Sequence, residues 1–103
     1  MDGAGLERAV RDESRLVLAL FHSPGCEPCR QILPRIEELA STGSEVCRVL
    51  GVDADAHPDV VQRLGVAGFP TLVFFRDGQE IHRFLGGALP PSVEEFMRRS
   101  SDD

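Results

Sequence analysis

Two cysteines lie three residues apart in the segment Ser23-Pro24-Gly25-Cys26-Glu27-Pro28-Cys29-Arg30, the CxxC segment. Thiols at this spacing can occupy one face of a helix and close a disulfide across a single turn. Such a pair can perform thiol–disulfide exchange, in which a thiolate attacks a disulfide sulfur. Attack needs surroundings that favour the thiolate, because a free cysteine with a pKa of about 8.5 is mostly protonated at neutral pH.

The CxxC segment joins two differently patterned stretches. Residues 16–21 form a short, unbroken apolar run, which is typical of a strand buried on both faces. The next stretch, residues 26–41, predicts an amphipathic helix with apolar residues at helical spacing: Ile32, Leu33, Ile36, Leu39 and Ala40. A helix N-terminus favours a thiolate by about 0.3–1 kcal/mol from its dipole alone, and Cys26 gains most. Pro28 suits the first turn, where its missing N–H costs nothing.

The rest of the chain alternates helix and strand patterns. In chain order they predict a helix, a strand, a helix and two strands over residues 6–11, 46–52, 58–64, 72–75 and 79–85. Asp77-Gly78 marks a hairpin between the last two strands. A capping box formed by Ser92 and Glu95 predicts a final helix with Val93, Phe96 and Met97 facing inward. We expect an α/β fold with a mixed sheet flanked by helices on both faces, in one domain over residues 1–103.

Composition excludes several classes of function. The formal charge of −6 leaves no basic stripe to neutralise phosphates, so we expect no nucleic acid partner. No apolar run approaches the roughly 20 residues that span a bilayer, and the N-terminus lacks the basic and apolar regions of a leader, so we expect a cytoplasmic protein that does not enter membranes. Three cysteines fit a catalytic pair plus a spare, Cys47, better than a structural disulfide framework.

A second motif, Gly68-Phe69-Pro70-Thr71, lies in front of the third strand. With this motif and the CxxC segment, residues 16–99 resemble the thioredoxin family. The resemblance implies a thioredoxin-like fold and a thiol–disulfide oxidoreductase, in which Cys26 attacks a substrate disulfide and Cys29 resolves the mixed disulfide. The family's matching proline is cis and leaves the preceding backbone free to pair with an extended substrate. Phe69, Pro70 and Thr71, with Gly25 at the rim, are therefore the expected substrate-binding residues.

The chain departs from the family at two tryptophan positions. Gly25 stands where typical members have the tryptophan before the first cysteine, and His22 stands where they have another, four residues before it. The flat Pro24-Gly25 rim suggests partners that differ from those of an ordinary thioredoxin.

A buried charged pair of the family is also missing. Leu20 replaces an aspartate six residues before Cys26, and Val49 replaces its lysine on the next strand. Replacing both charges by apolar packing can be neutral or stabilising. It removes the usual proton acceptor for Cys29, so water, Glu27 or His22 must take that role.

Three residues near the cysteines are expected to modulate their reactivity: His22, Glu27 and Pro28. A carboxylate at Glu27 stabilises the first helical turn, but its charge disfavours a thiolate at Cys26. A protonated His22 close to the sulfur would favour the thiolate. The sequence leaves the net sign, and therefore the redox potential, open.

Two other interpretations of the Cys26–Cys29 pair remain. It could be half of a zinc site, although Cys47 and three scattered histidines form no second pair of ligands. The chain could also be a binding module that kept the fold and lost turnover.

We expect no cofactor, because Gly65-Val66-Ala67-Gly68 lacks the dinucleotide fingerprint. We therefore expect a separate reductase as the source of electrons, protein disulfides as the substrates, and a monomer.

Overall fold

The computed structural model describes residues 8–11, 13, 15–42, 47–85, 95–96 and 99. A helical turn at residues 8–11 precedes the main elements, and residues 95–96 and 99 are helical. The main elements are β1 (Leu16–His22), α1 (Glu27–Thr42), β2 (Cys47–Asp53), α2 (Pro58–Leu64), β3 (Thr71–Arg76) and β4 (Gln79–Leu85).

The four strands form one mixed sheet in the order β2-β1-β3-β4. β1 runs parallel to β2, with Leu16 opposite Cys47 and His22 opposite Asp53, and antiparallel to β3. β3 and β4 form an antiparallel hairpin. Asp77 and Gly78 connect them with positive φ angles of 54° and 81°, as a two-residue hairpin turn requires.

Both faces of the sheet are covered by apolar layers, which explains the unbroken apolar run of β1. Alternate β1 side chains enter opposite layers, and residues 16–21 are at most 1% exposed. The layer on the α1 face contains Leu16, Leu18, Leu20, Ile32, Ile36, Cys47, Leu72 and Phe74. The layer on the α2 face contains Val10, Val17, Ala19, Phe21, Leu50, Val52, Val60, Val66, Val73 and Phe75.

The predicted mixed α/β architecture is confirmed, and α2 and β4 have the predicted bounds. Phe96 packs against the α1-face layer, as expected. The predicted positions that lie outside the described residues are 6–7, Val46, Ser92, Val93 and Met97. α1 continues through Pro34 as one helix of 16 residues.

Leu33, one of the apolar residues of the predicted amphipathic helix, lies outside the buried stripe of α1. Leu33 is 41% exposed, whereas Cys29, Ile32 and Ile36 are buried. The buried stripe follows the i, i+3, i+7 spacing of those three residues, and Leu33 lies at its edge.

The edge strand β4 is only partly covered. Leu85 is 63% exposed and Ile81 is also exposed. His82 is exposed as a residue, but its ring stacks on that of Phe96 with centroids 4.8 Å apart.

Candidate active site

The CxxC segment links the end of β1 to the start of α1. A disulfide joins Cys26 and Cys29, whose Cα atoms are 5.2 Å apart. Cys29 is only 5% exposed, whereas Cys26 is half-buried, so the first cysteine is the accessible one, as predicted. The backbone N–H of Cys29 donates a hydrogen bond to Sγ of Cys26 at 3.3 Å. The Cys26 sulfur therefore lies at the N-terminal end of α1, where donors and the helix dipole favour negative charge.

The turn before Cys26 is shaped by glycine. Gly25 has a φ of +81°, in the left-handed region that side chains disfavour, and a Cβ built there would have no atom within 4 Å. The Cys26 N–H donates to the Ser23 carbonyl at 3.1 Å and closes this turn. The rim beside the disulfide is therefore open, and the backbone itself disfavours a larger residue at this position.

An ion pair follows Cys26. Arg30 Nη1 lies 3.9 Å from Glu27 Oε1 across one turn of α1, and both side chains are largely exposed. Arg30 was not among the predicted site residues, although its i, i+3 spacing from Glu27 is visible in the sequence. Its positive charge offsets the negative charge of Glu27, the residue that follows Cys26.

His22 lies over a glycine of the neighbouring strand. Its Nε2 is 3.7 Å from the position that a Cβ of Gly51 would occupy. Strand alternation places the His22 side chain on the same face as Leu20, which is the α1 face. Leu20 is buried in the α1-face layer, and Val49 packs against that layer, so apolar contacts replace the charged pair, as predicted.

The segment that precedes β3, residues 65–70, is the groove segment. The Phe69–Pro70 peptide bond is cis, as the resemblance implies. Pro70 is buried, and Phe69 packs against the α2-face layer. Thr71 pairs with Phe21 in the sheet, so the groove segment ends beside the end of β1, where the CxxC segment begins.

Other features of the described residues lie apart from the cysteines. A cavity of about 510 Å³ opens on the α2 face and is lined by Val10, Val60, Leu64 and Phe75 among others, but by no predicted site residue. Within the described ranges, no three His, Cys, Asp or Glu side chains are grouped so as to hold a metal ion. In the same part of the chain, no helix has the length and apolarity needed to cross a bilayer.

Comparisons with known proteins agree on one family. The thioredoxin family profile matches residues 2–99. Thioredoxin 1 of Synechococcus elongatus is 35% identical over 90 residues, which are 87% of this chain and 83% of that protein. The thioredoxin of Chlamydia muridarum is 40% identical over 73 residues, 71% of each chain. The X-ray structure of Fasciola hepatica thioredoxin superposes with a TM-score of 0.88 at 33% identity and covers 95% of this chain and 93% of that one.

Proposed function

Because the chain belongs to the thioredoxin family and is a thiol–disulfide oxidoreductase, we propose that it reduces protein disulfides with Cys26 as the nucleophile and Cys29 as the resolving thiol. The observation that carries this assignment is the difference between the two sulfurs. Cys26 is accessible and accepts a backbone hydrogen bond, whereas Cys29 is buried one turn into the helix.

The reaction proceeds in two exchange steps. The Cys26 thiolate attacks one sulfur of the substrate disulfide, the substrate S–S bond breaks, and the released substrate sulfur takes up a proton. Cys29 then gives up its proton and attacks Sγ of Cys26, which forms the Cys26–Cys29 disulfide and releases the second substrate thiol. Two electrons pass from the dithiol to the substrate.

We propose that an extended substrate segment binds along the groove segment. In this proposal Phe69 offers backbone groups for pairing, the cis Pro70 shapes the groove as the resemblance implies, and Thr71 anchors the groove segment to the sheet. Gly25 forms the opposite rim and leaves space for bulky substrate side chains. This open rim supports a partner set different from that of a thioredoxin with tryptophan at this position.

The proton of Cys29 has three candidate acceptors, namely water, Glu27 and His22. His22 is supported by its place on the α1 face, two residues beyond Leu20, where the family's carboxylate is missing. Glu27 lies within 3.9 Å of Arg30, with which it forms an exposed ion pair.

The oxidised pair has to be reduced again before the next turnover. We propose a separate protein reductase as the electron donor and the cytoplasm as the compartment, because a reducing environment keeps such a dithiol cycling. The proposed active species is a single-domain monomer without a bound cofactor.

Insulin reduction with dithiothreitol as electron donor tests this assignment. We expect Cys26→Ser to abolish turnover, Cys29→Ser to accumulate a mixed disulfide, and Cys47→Ser to react like the unchanged protein.

The reduction potential of the Cys26–Cys29 pair, measured in glutathione buffers, gives the direction of electron flow. A value near −270 mV would indicate a reductant, and one of about −120 to −180 mV an oxidant or isomerase. Turnover by Cys26→Ser would refute Cys26 as the nucleophile, and failure of the pair to form a disulfide would favour the binding module. Stoichiometric zinc in the purified protein would indicate the metal site instead.

A further inference from the structure

We propose that Arg83, held by Glu80, is a positioning residue that fixes the groove segment for protein substrates. This inference rests on the proposed function, in which the groove segment receives an extended substrate. Arg83 lies on β4 opposite Val73, on the α2 face of the sheet, and therefore on the face away from α1.

Arg83 contacts the point where α2 passes into the groove segment. Its Nη2 donates a hydrogen bond to the Leu64 carbonyl at 2.8 Å, and its Nη1 donates to the Gly65 carbonyl at 3.4 Å. The last carbonyls of a helix lack partners within the helix, so a guanidinium from another element can satisfy them. Gly65 ends α2 with a φ of +67°. Arg83 thereby ties the start of the groove segment to the sheet.

Glu80 holds the guanidinium in place. Nε of Arg83 donates to Oε2 of Glu80 at 2.8 Å, and Nη2 donates to Oε1 at 2.7 Å. The two side chains are only 25% and 33% exposed, which reduces screening of the pair by solvent. The hydrogen bond from Arg83 also lowers the pKa of Glu80, so the carboxylate stays ionised at neutral pH.

The other end of the groove segment is fixed independently. Oγ1 of Thr71, the first residue of β3, donates to the Gly68 carbonyl at 2.6 Å. Phe69 packs against the α2-face layer between these two anchors. A segment held at both ends loses less conformational freedom when it binds an extended peptide. Loss of the Arg83 anchor should therefore weaken substrate binding without changing the reactivity of the cysteines.

The test compares a protein disulfide with a small one. Arg83→Met keeps the aliphatic stem and loses the hydrogen bonds, and Arg83→Lys keeps the charge without the two-pronged geometry. We expect KM for insulin to rise about three- to tenfold in Arg83→Met, with kcat unchanged, and to rise less in Arg83→Lys. The rate constant of the reduced protein with oxidised glutathione should not change, because a small disulfide needs no groove. Arg99→Met, which removes an exposed ion pair with Glu95, is the matched control.

Two results would overturn the proposal, namely an unchanged KM for insulin in Arg83→Met, or a parallel loss of the glutathione reaction that indicates general damage. If circular dichroism shows that Arg83→Met is unfolded, Arg83→Lys and Glu80→Gln carry the same comparison. Failure of the unchanged protein with both disulfides would refute the proposed function instead. If the unchanged protein reacts with both disulfides and the Arg83 variants react equally well, only the positioning role is refuted.

Discussion

The backbone N–H of Cys29 donates a hydrogen bond to Sγ of Cys26 across 3.3 Å, so the accessible cysteine and its buried partner are linked by a main-chain donor as well as by their sulfurs. This donor belongs to the first turn of α1 and is present with any residue other than proline at position 29. The electrostatic setting of Cys26 therefore has a fixed part, the helix terminus, and a variable part, the charges of Glu27 and Arg30.

We expect opposite effects from removing the two charges of that pair. Glu27→Gln should speed alkylation of reduced Cys26 about twofold, because a negative charge beside the thiolate is lost, and Arg30→Gln should slow it by a similar factor. Rates of iodoacetamide reaction at neutral pH measure both. High salt should reduce the differences in alkylation rate between the unchanged protein and the two variants. If both variants react faster, or both more slowly, than the unchanged protein, the electrostatic explanation is contradicted.

Restoring only one member of the family's charged pair in the α1-face layer should destabilise the fold. Leu20→Asp should destabilise the fold by about 3–5 kcal/mol, because the carboxylate would be buried without a partner. Adding Val49→Lys should recover part of that loss through pairing. Urea unfolding followed by circular dichroism measures this, since the chain has no tryptophan or tyrosine. Leu33→Asp, at an exposed position of α1, is the control and should change stability little. Additive effects of Leu20→Asp and Val49→Lys would show that the two positions do not act as a unit.

Cys47 should be inert in the folded protein. Burial raises the pKa of its thiol to about 11, so it carries almost no thiolate at neutral pH. After reduction, iodoacetamide should modify Cys26 and leave Cys47 untouched, whereas all three cysteines should react in denaturant. Mass spectrometry of the labelled peptides distinguishes these outcomes. Rapid native labelling of Cys47 would contradict its buried setting.

Glu13 should make the stability of the fold pH-dependent in the acid range. It accepts hydrogen bonds from Arg15 at 2.8 Å and lies 3.6 Å from Arg48, and the Arg15 bonds lower its pKa to about 2. A depressed carboxyl pKa stabilises the fold above the unfolded value, near 4.5, and that contribution is lost as pH falls towards 2. Glu13→Gln should therefore lower Tm at pH 7, and the difference should shrink between pH 4.5 and 2. Glu37→Gln on the exposed face of α1 is the control, and a constant difference would refute the linkage.

Much of the fold was predictable because its signals are local. The unbroken apolar run of β1, the glycine after α2 and the Asp77-Gly78 hairpin each specify an element without knowledge of distant contacts. The position of the cysteines between β1 and α1 follows from the same signals. The cis bond before Pro70 followed from the resemblance instead.

The anchors of the site were not predictable, because they depend on tertiary contacts. Arg83 donates to backbone carbonyls 18 and 19 positions earlier in the chain, and no side-chain pattern indicates such partners. The exposure of Leu33 and the stacking of His82 on Phe96 are likewise set by tertiary packing rather than by local sequence. The pairing of Glu13 with Arg48 requires β2 to lie beside β1.

The central place of β1 has a consequence for amide hydrogen exchange. This strand has neighbours on both sides and buried side chains on both faces, so its N–H groups should exchange only when the whole domain opens. The CxxC segment begins where this most protected strand ends. Isotope labelling should therefore find the slowest amides of the chain within a few residues of its reactive sulfur, with the same protection pattern in β1 whether the cysteines are oxidised or reduced.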